Sequence, residues 1–259
     1  MQTPVNQTKL FHYSPTGTSK KIAHAVCKGI TSNQLSETDL TFMEAQAEQI
    51  HDNQLAIFVM PVYAGRIAPT ALQRMSGIQG KNTPAVAIVV YGNRHYDDAL
   101  LELCDVLKQQ GFTPIAAAAF IGEHSFSRKE MPVAAGRPDE CDLSIAAQFG
   151  EKIAEKLQSG DFYQELTVPG NYPYKEARQQ PPMAPESSED CNLCGTCIEV
   201  CPTRAISLSD NRIVTDAAAC TLCCACVKYC PQEARIFNTP FTKFLYENFS
   251  SRREPEWFI

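Results

Sequence analysis

Residues 9–30, KLFHYSPTGTSKKIAHAVCKGI, pass from a short apolar stretch, Lys9 to Tyr13, through a turn of hydroxyls and glycine into an amphipathic segment. The spacing predicts a strand, a tight turn over Ser14-Pro15-Thr16-Gly17-Thr18-Ser19-Lys20, and a helix over Thr18 to Ile30. Such a turn at a helix N-terminus suits a phosphate group. Free amides point at it, side-chain oxygens donate to it, and the helix dipole favours it by ~0.3–2 kcal/mol. Neither G-x4-G-K-[ST] nor G-x-G-x-x-G is present, so this is neither a Walker loop nor a dinucleotide fingerprint. Taken alone, the same residues also describe a plain N-capped helix after a turn.

Outward from this unit, residues 8–160 alternate apolar runs with amphipathic stretches, the pattern of a parallel sheet covered by helices on both faces. Strands are expected at Lys9–Tyr13, Leu40–Met43, Leu55–Met60, Ala85–Tyr91 and Ile115–Ile121, and helices at Thr18–Ile30, Thr70–Ser76, Asp97–Gln110 and Glu140–Leu157. The expected fold class is α/β, a doubly wound five-stranded parallel sheet. Two further loops leave carboxyl ends of strands, where such sheets bind ligands: Pro61-Val62-Tyr63-Ala64-Gly65-Arg66-Ile67-Ala68-Pro69 and Tyr91-Gly92-Asn93-Arg94-His95-Tyr96-Asp97. Their glycines let backbone approach a flat ring on which Tyr63 or Tyr96 would stack, and Glu123, His124 and Ser125 are further lining candidates. His12, in a strand, and His24, on a helix, read as satisfied core or surface groups, and Cys27, Cys104 and Cys141 as space-filling.

The chain has 259 residues and twelve cysteines, nine of them between Cys191 and Cys230. The domains expected are 1–160, a Pro-rich extended linker at 161–187 (Pro169, Pro173, Pro181, Pro182, Pro185), a cysteine-rich domain at 188–240, and an aromatic tail at 241–259 that packs against something. The cysteine-rich part has too little apolar mass to fold on burial alone and must be cross-linked or held by metal. A formal charge of -6 argues against nucleic acid, and no apolar run spans a bilayer, so a cytoplasmic protein is expected.

Cys191, Cys194, Cys197, Cys201 and Pro202 recur 29 residues later as Cys220, Cys223, Cys226, Cys230 and Pro231. Three cysteines two residues apart wrap one corner of a 4Fe-4S cubane, and in the two-cluster arrangement of this run the fourth, followed by proline, ligates the other cluster. One cluster would use Cys191, Cys194, Cys197 and Cys230, the other Cys220, Cys223, Cys226 and Cys201. Zinc or disulfides would leave the repeat without a use. Cys224, opposite Gly195 in the repeat, reads as a non-ligand, with a ligand exchange with Cys223 left open.

Residues 188–236 resemble a bacterial two-cluster ferredoxin of small α+β fold, which implies low-potential one-electron transfer. Residues 5–160 resemble flavodoxin: Ser14, Thr16, Gly17 and Ser19 match its phosphate loop, with Thr18 in place of the usual asparagine, and Pro61, Tyr63, Gly65 and Pro69 match its second loop. FMN is the cofactor this implies; the alternative is a domain that keeps the fold and binds no FMN. The whole chain resembles the fused flavodoxin and ferredoxin proteins of anaerobes. The resemblance implies an electron carrier converting between one- and two-electron steps for a redox protein partner, with a homodimer allowed. The alternatives are an FMN-dependent reductase of a small acceptor and an iron-sulfur redox sensor.

Overall fold

The computed structural model describes residues 5–30, 34–44, 46–160, 164–176 and 182–259. Before the linker the chain forms β1 (Gln7–His12), α1 (Thr18–Ile30), β2 (Leu35–Asp39), β3 (Glu48–Ile50), β4 (Gln54–Tyr63), β5 (Arg66–Ile67), α2 (Pro69–Met75), β6 (Ile78–Gly80), β7 (Thr83–Tyr91), α3 (Ala99–Gln109), β8 (Phe112–Ile121) and α4 (Glu140–Ser159). After it come β9 (Glu186–Ser187), α5 (Thr196–Glu199), β10 (Ile206–Ser209), β11 (Arg212–Thr215), α6 (Ala225–Lys228), β12 (Arg235–Ile236), α7 (Pro240–Phe249) and β13 (Glu256–Phe258).

Five strands run parallel in the order β2-β1-β4-β7-β8. The central ones are covered on both faces, which is why β7, TPAVAIVVY, is buried at every position and reads as one apolar run rather than an alternation. On one face Phe11, Phe58, Met60 and Val89 pack against Met75 of α2 and Leu100, Leu103 and Leu107 of α3. On the other, Leu10, Ile57, Val59 and Ile88 meet Ile22 and Val26 of α1 and Phe149 and Ile153 of α4. Helix α4 starts at a capping box between Asp139 and Asp142 and stops at Gly160 in the left-handed region.

Two expectations need correcting. The second strand is Leu35–Asp39, not Leu40–Met43. It lies at the sheet edge, pairs only with β1, and is half exposed, so its sequence LSETD lacks the apolar run that marks an interior strand. Leu40 and Thr41 are buried in the turn that follows it. The sheet also exceeds five strands, because the C-terminal β13 pairs antiparallel with β8, Glu256 opposite Ala119 and Phe258 opposite Ala117, and β5 folds back on β4.

The described middle of the expected linker, residues 164–176, docks on the sheet domain. Backbone amides of Asn171 and Lys175 donate to the Asp98 carboxylate at 2.8 and 2.6 Å, and the Tyr174 hydroxyl donates to Asp105 at 2.6 Å. Linker residues 161–163 and 177–181, Pro181 among them, lie outside the described residues.

The cysteine-rich part has a core of only Cys197, Ile206, Ile213 and Cys226 with a few half-buried neighbours. Two antiparallel pairs, β10 with β11 and β9 with β12, and the single-turn helices α5 and α6 complete it. The duplication seen in the cysteines extends to the backbone. Left-handed residues recur in pairs: Leu193 with Leu222 (φ 60° and 56°), Gly195 with Cys224 (83° and 56°), Arg204 with Glu233 (55° and 52°). Successive turns of this kind aim backbone amides inward, toward a bound anion or the sulfides of a cluster.

Candidate functional site

Cys191, Cys194, Cys197 and Cys230 line one hollow. Cys201, Cys220, Cys223 and Cys226 line a second. The fourth cysteine of each run thus stands with the first three of the other run. None of these thiols is in a disulfide. Arg235 is buried between the two sets. Its guanidinium donates to the Pro185 carbonyl and the Thr215 hydroxyl, both at 2.7 Å, and its charge acts on Cys197 of one set and Cys226 of the other. A buried cation there offsets the negative charge that thiolate-bound iron centres carry. Cys224 also borders the second hollow, buried, with no counterpart in the first.

The second hollow faces the carboxyl ends of the parallel strands. The Arg74 guanidinium, on α2, donates to the carbonyl of Pro202, which lines that hollow, at 2.5 Å, to the Leu40 carbonyl at 2.9 Å, and stacks over the Tyr13 ring. Burial, reinforced by the nearby Cys223 thiol, lifts the Tyr13 and Tyr63 phenols far above their ordinary pKa, so both stay neutral. Tyr13 follows β1 and Tyr63 ends β4, and between those strands the direction of chain winding reverses, the place where doubly wound sheets bind ligands. Tyr229, just after α6, reaches the phosphate-type turn: the position a Cβ on Gly17 would take lies 3.4 Å from the Tyr229 hydroxyl. Lys228 pairs with Glu123 at 2.9 Å and Lys129 with Glu233 at 2.7 Å across the same junction.

Ser14, Thr16, Gly17, Thr18 and Ser19 form one turn leading into α1. The Ser14 amide donates to the Thr41 hydroxyl at 2.8 Å, and the Ser14 hydroxyl accepts from the Lys20 amide at 3.0 Å. Pro61, Val62, Tyr63, Ala64 and Gly65 adjoin the loop from Tyr91 to Asp97. The Asp98 amide donates to the Gly65 carbonyl at 3.1 Å, and Gly65 (φ 86°) has no room for a Cβ, which would sit 2.1 Å from an Asp97 carboxylate oxygen. Gly92 packs on His124, whose pKa burial and then Arg94 hold down to about 4, so the imidazole is neutral at pH 7.

Three residues of that loop are turned elsewhere. Tyr96 is buried in the sheet core against Tyr91, and its hydroxyl donates to Glu256 at 2.9 Å, so it is turned away from the edge where a ring would bind. Asn93 donates to the Phe249 and Ser251 carbonyls at 2.6 and 2.8 Å. Arg94 pairs with Asp97. Tyr13, Thr41, Arg74, Tyr229 and Arg235 escape sequence reasoning, since each acts through a partner distant in the chain. A tyrosine at the end of the phosphate-turn strand was the one available signal.

The donors present fit the groups that the sequence implies. Soft thiols in two closed sets of four suit iron-sulfur clusters. At the turn, the Ser19 hydroxyl is fully buried at the N-terminus of α1 and has no partner among the described residues, an orphan that a phosphate oxygen would satisfy.

A family profile described as Flavodoxin matches residues 10–130, and one described as 4Fe-4S binding domain matches residues 185–207. A search of curated proteins found no match. Among solved structures the chain is similar to a flavodoxin from the domain Archaea, at 16% identity over 59% of this chain and 99% of that one, with a TM-score of 0.38. It is also similar to a Streptococcus pneumonia flavodoxin, at 15% over 58% and 99%, TM-score 0.42. For the rubredoxin oxygen:oxidoreductase of Desulfovibrio gigas the figures are 16%, 61% of this chain and 37% of that one, TM-score 0.43. Among the described residues no helix is long and apolar enough to cross a membrane.

Proposed function

We propose, for a chain that carries a flavodoxin domain and a 4Fe-4S binding domain, that it is an electron-transfer protein in which two 4Fe-4S clusters and one FMN work in series within one chain. In this reading 1–160 holds FMN, 188–240 holds both clusters, and 161–187 and 241–259 tie the two together. When bound, the flavin supplies two-electron capacity and the clusters single-electron steps, so the pair converts between the two.

One observation carries the proposal: Arg74 joins Pro202, in the lining of the second cysteine set, to the Tyr13 ring at the winding reversal of the same chain's sheet. The turn from Ser14 to Ser19 would bind the phosphate, and Tyr63 and Gly65 would flank the ring. Cys194 is exposed whereas Cys223 is buried, which makes the first set the surface terminal and the second the inner one. A reductase with an open flavin face is disfavoured, because Arg74–Pro202, Tyr229–Gly17 and Lys228–Glu123 close the small domain over that edge.

The test is anaerobic. Iron, sulfide and flavin counted per chain should give two clusters and one FMN. A reduced ferredoxin, too bulky to enter the covered edge, should reduce the flavin of wild type at least tenfold faster than that of Cys223→Ala. Flavin reduction at the wild-type rate in that variant, with its inner cluster shown to be missing, rejects the series arrangement.

A further inference from the structure

His12, at the end of β1, His24, on the outer face of α1, and Glu37, on the edge strand β2, converge on one point. The two Nε2 atoms lie 2.7 and 3.0 Å from the same Glu37 oxygen, and the three donor atoms are all within 4.8 Å of one another. Two imidazoles and one carboxylate are the donor set that borderline divalent metals, zinc foremost, accept, with a fourth position left to water. Zinc with bonds of about 2.0–2.2 Å holds its donors roughly 3.3 Å apart, so the two Glu37 contacts would lengthen slightly and the widest donor separation, within 4.8 Å, would close by up to about 1.5 Å through rotation of the exposed His24 and Glu37 side chains.

The arrangement without a metal leaves a fault. His12 is fully buried, and its Nδ1 has no hydrogen-bond partner among the described residues although an Asp39 oxygen stands 3.7 Å away. If the Nε2 proton goes to Glu37, as its 2.7 Å contact requires of a neutral ring, Nδ1 turns a lone pair toward the Asp39 carboxylate in a buried site. A cation at Nε2 removes the fault. The ring proton then resides on Nδ1 and faces Asp39, the carboxylate–histidine–metal order found around bound zinc. Lys20 stands 3.5 Å from the Glu37 oxygen and would have to swing away, which its 45% exposed side chain permits.

We propose that His12, His24 and Glu37 form a binding site for one zinc-class divalent ion, oriented by Asp39, which fastens the edge strand β2 to β1 and α1. The inference does not rest on the flavin and cluster reading. Its test uses Zn²⁺ alone, by equilibrium dialysis of the full chain with its clusters intact under nitrogen. Wild type should take up one equivalent at micromolar free zinc. His24→Ala and Glu37→Gln, both changed at the surface, should bind at least a hundredfold more weakly with unchanged iron and sulfide. A crystal soaked in zinc should show an anomalous peak among the three side chains. Equal uptake by wild type and His24→Ala overturns the proposal. So does no uptake by wild type.

Discussion

Cys224 occupies the place in the second cysteine run that Gly195 holds in the first, and both adopt left-handed backbone, φ 56° and 83°. For a residue with a Cβ that conformation costs about 1–2 kcal/mol, and burial of a small thiol returns a similar amount. The turn therefore dictates the backbone at both sites, and we propose that the thiol at 224 packs rather than binds. Cys224→Gly should keep its full iron and sulfide and shift unfolding stability by less than about 1 kcal/mol, whereas Cys223→Gly should lose the inner cluster; iron analysis beside a denaturant titration checks both. At this scale the cysteines are legible in the sequence because neighbours on one loop reach one cluster corner, and spacing records that directly. His12, His24 and Glu37 are not, because each comes from a different element and no spacing links them.

Helices α1 and α4 cross with almost no gap. A Cβ at Gly29 would sit 2.0 Å from the Ala147 carbonyl oxygen, and one at Gly150 would sit 2.1 Å from that of Val26. Gly150→Ala gains up to about 1 kcal/mol of helix propensity, but it must push two backbones apart, at a cost of roughly 1–3 kcal/mol. The variant should be net destabilised by about 1–2 kcal/mol, read as a lower denaturant midpoint at unchanged slope. Since α1 begins at the phosphate-type turn, FMN affinity should fall with it. The span of α1 is legible to the residue, because hydrophobic periodicity and the turn both announce it. The edge strand β2 is not, because half-exposed edges carry polar residues and the apolar signal sits one turn further on.

The chain leaves the sheet through the docked linker, builds the cysteine-rich part, and comes back. Beyond α7, Arg137 donates to the Arg253 carbonyl at 2.7 Å, Arg252 pairs with Asp139 at 2.6 Å, Trp257 stacks on Phe149, and β13 covers the outer edge of β8. Removing residues 251–259 would bare that edge and leave the buried Asn93 amide short of an acceptor. The truncated chain should self-associate, visible as a concentration-dependent mass by light scattering, while wild type keeps one mass over the same range. Aromatic content alone announces that the tail packs; which edge it finds is a non-local choice that no local pattern encodes. Residues 171–175 before the small domain and β13 after it are both held to the sheet domain. In the proposed arrangement the chain itself holds the inner thiols opposite the strand ends, so their approach does not depend on dilution, and the exposed Cys194 is turned toward an outside partner.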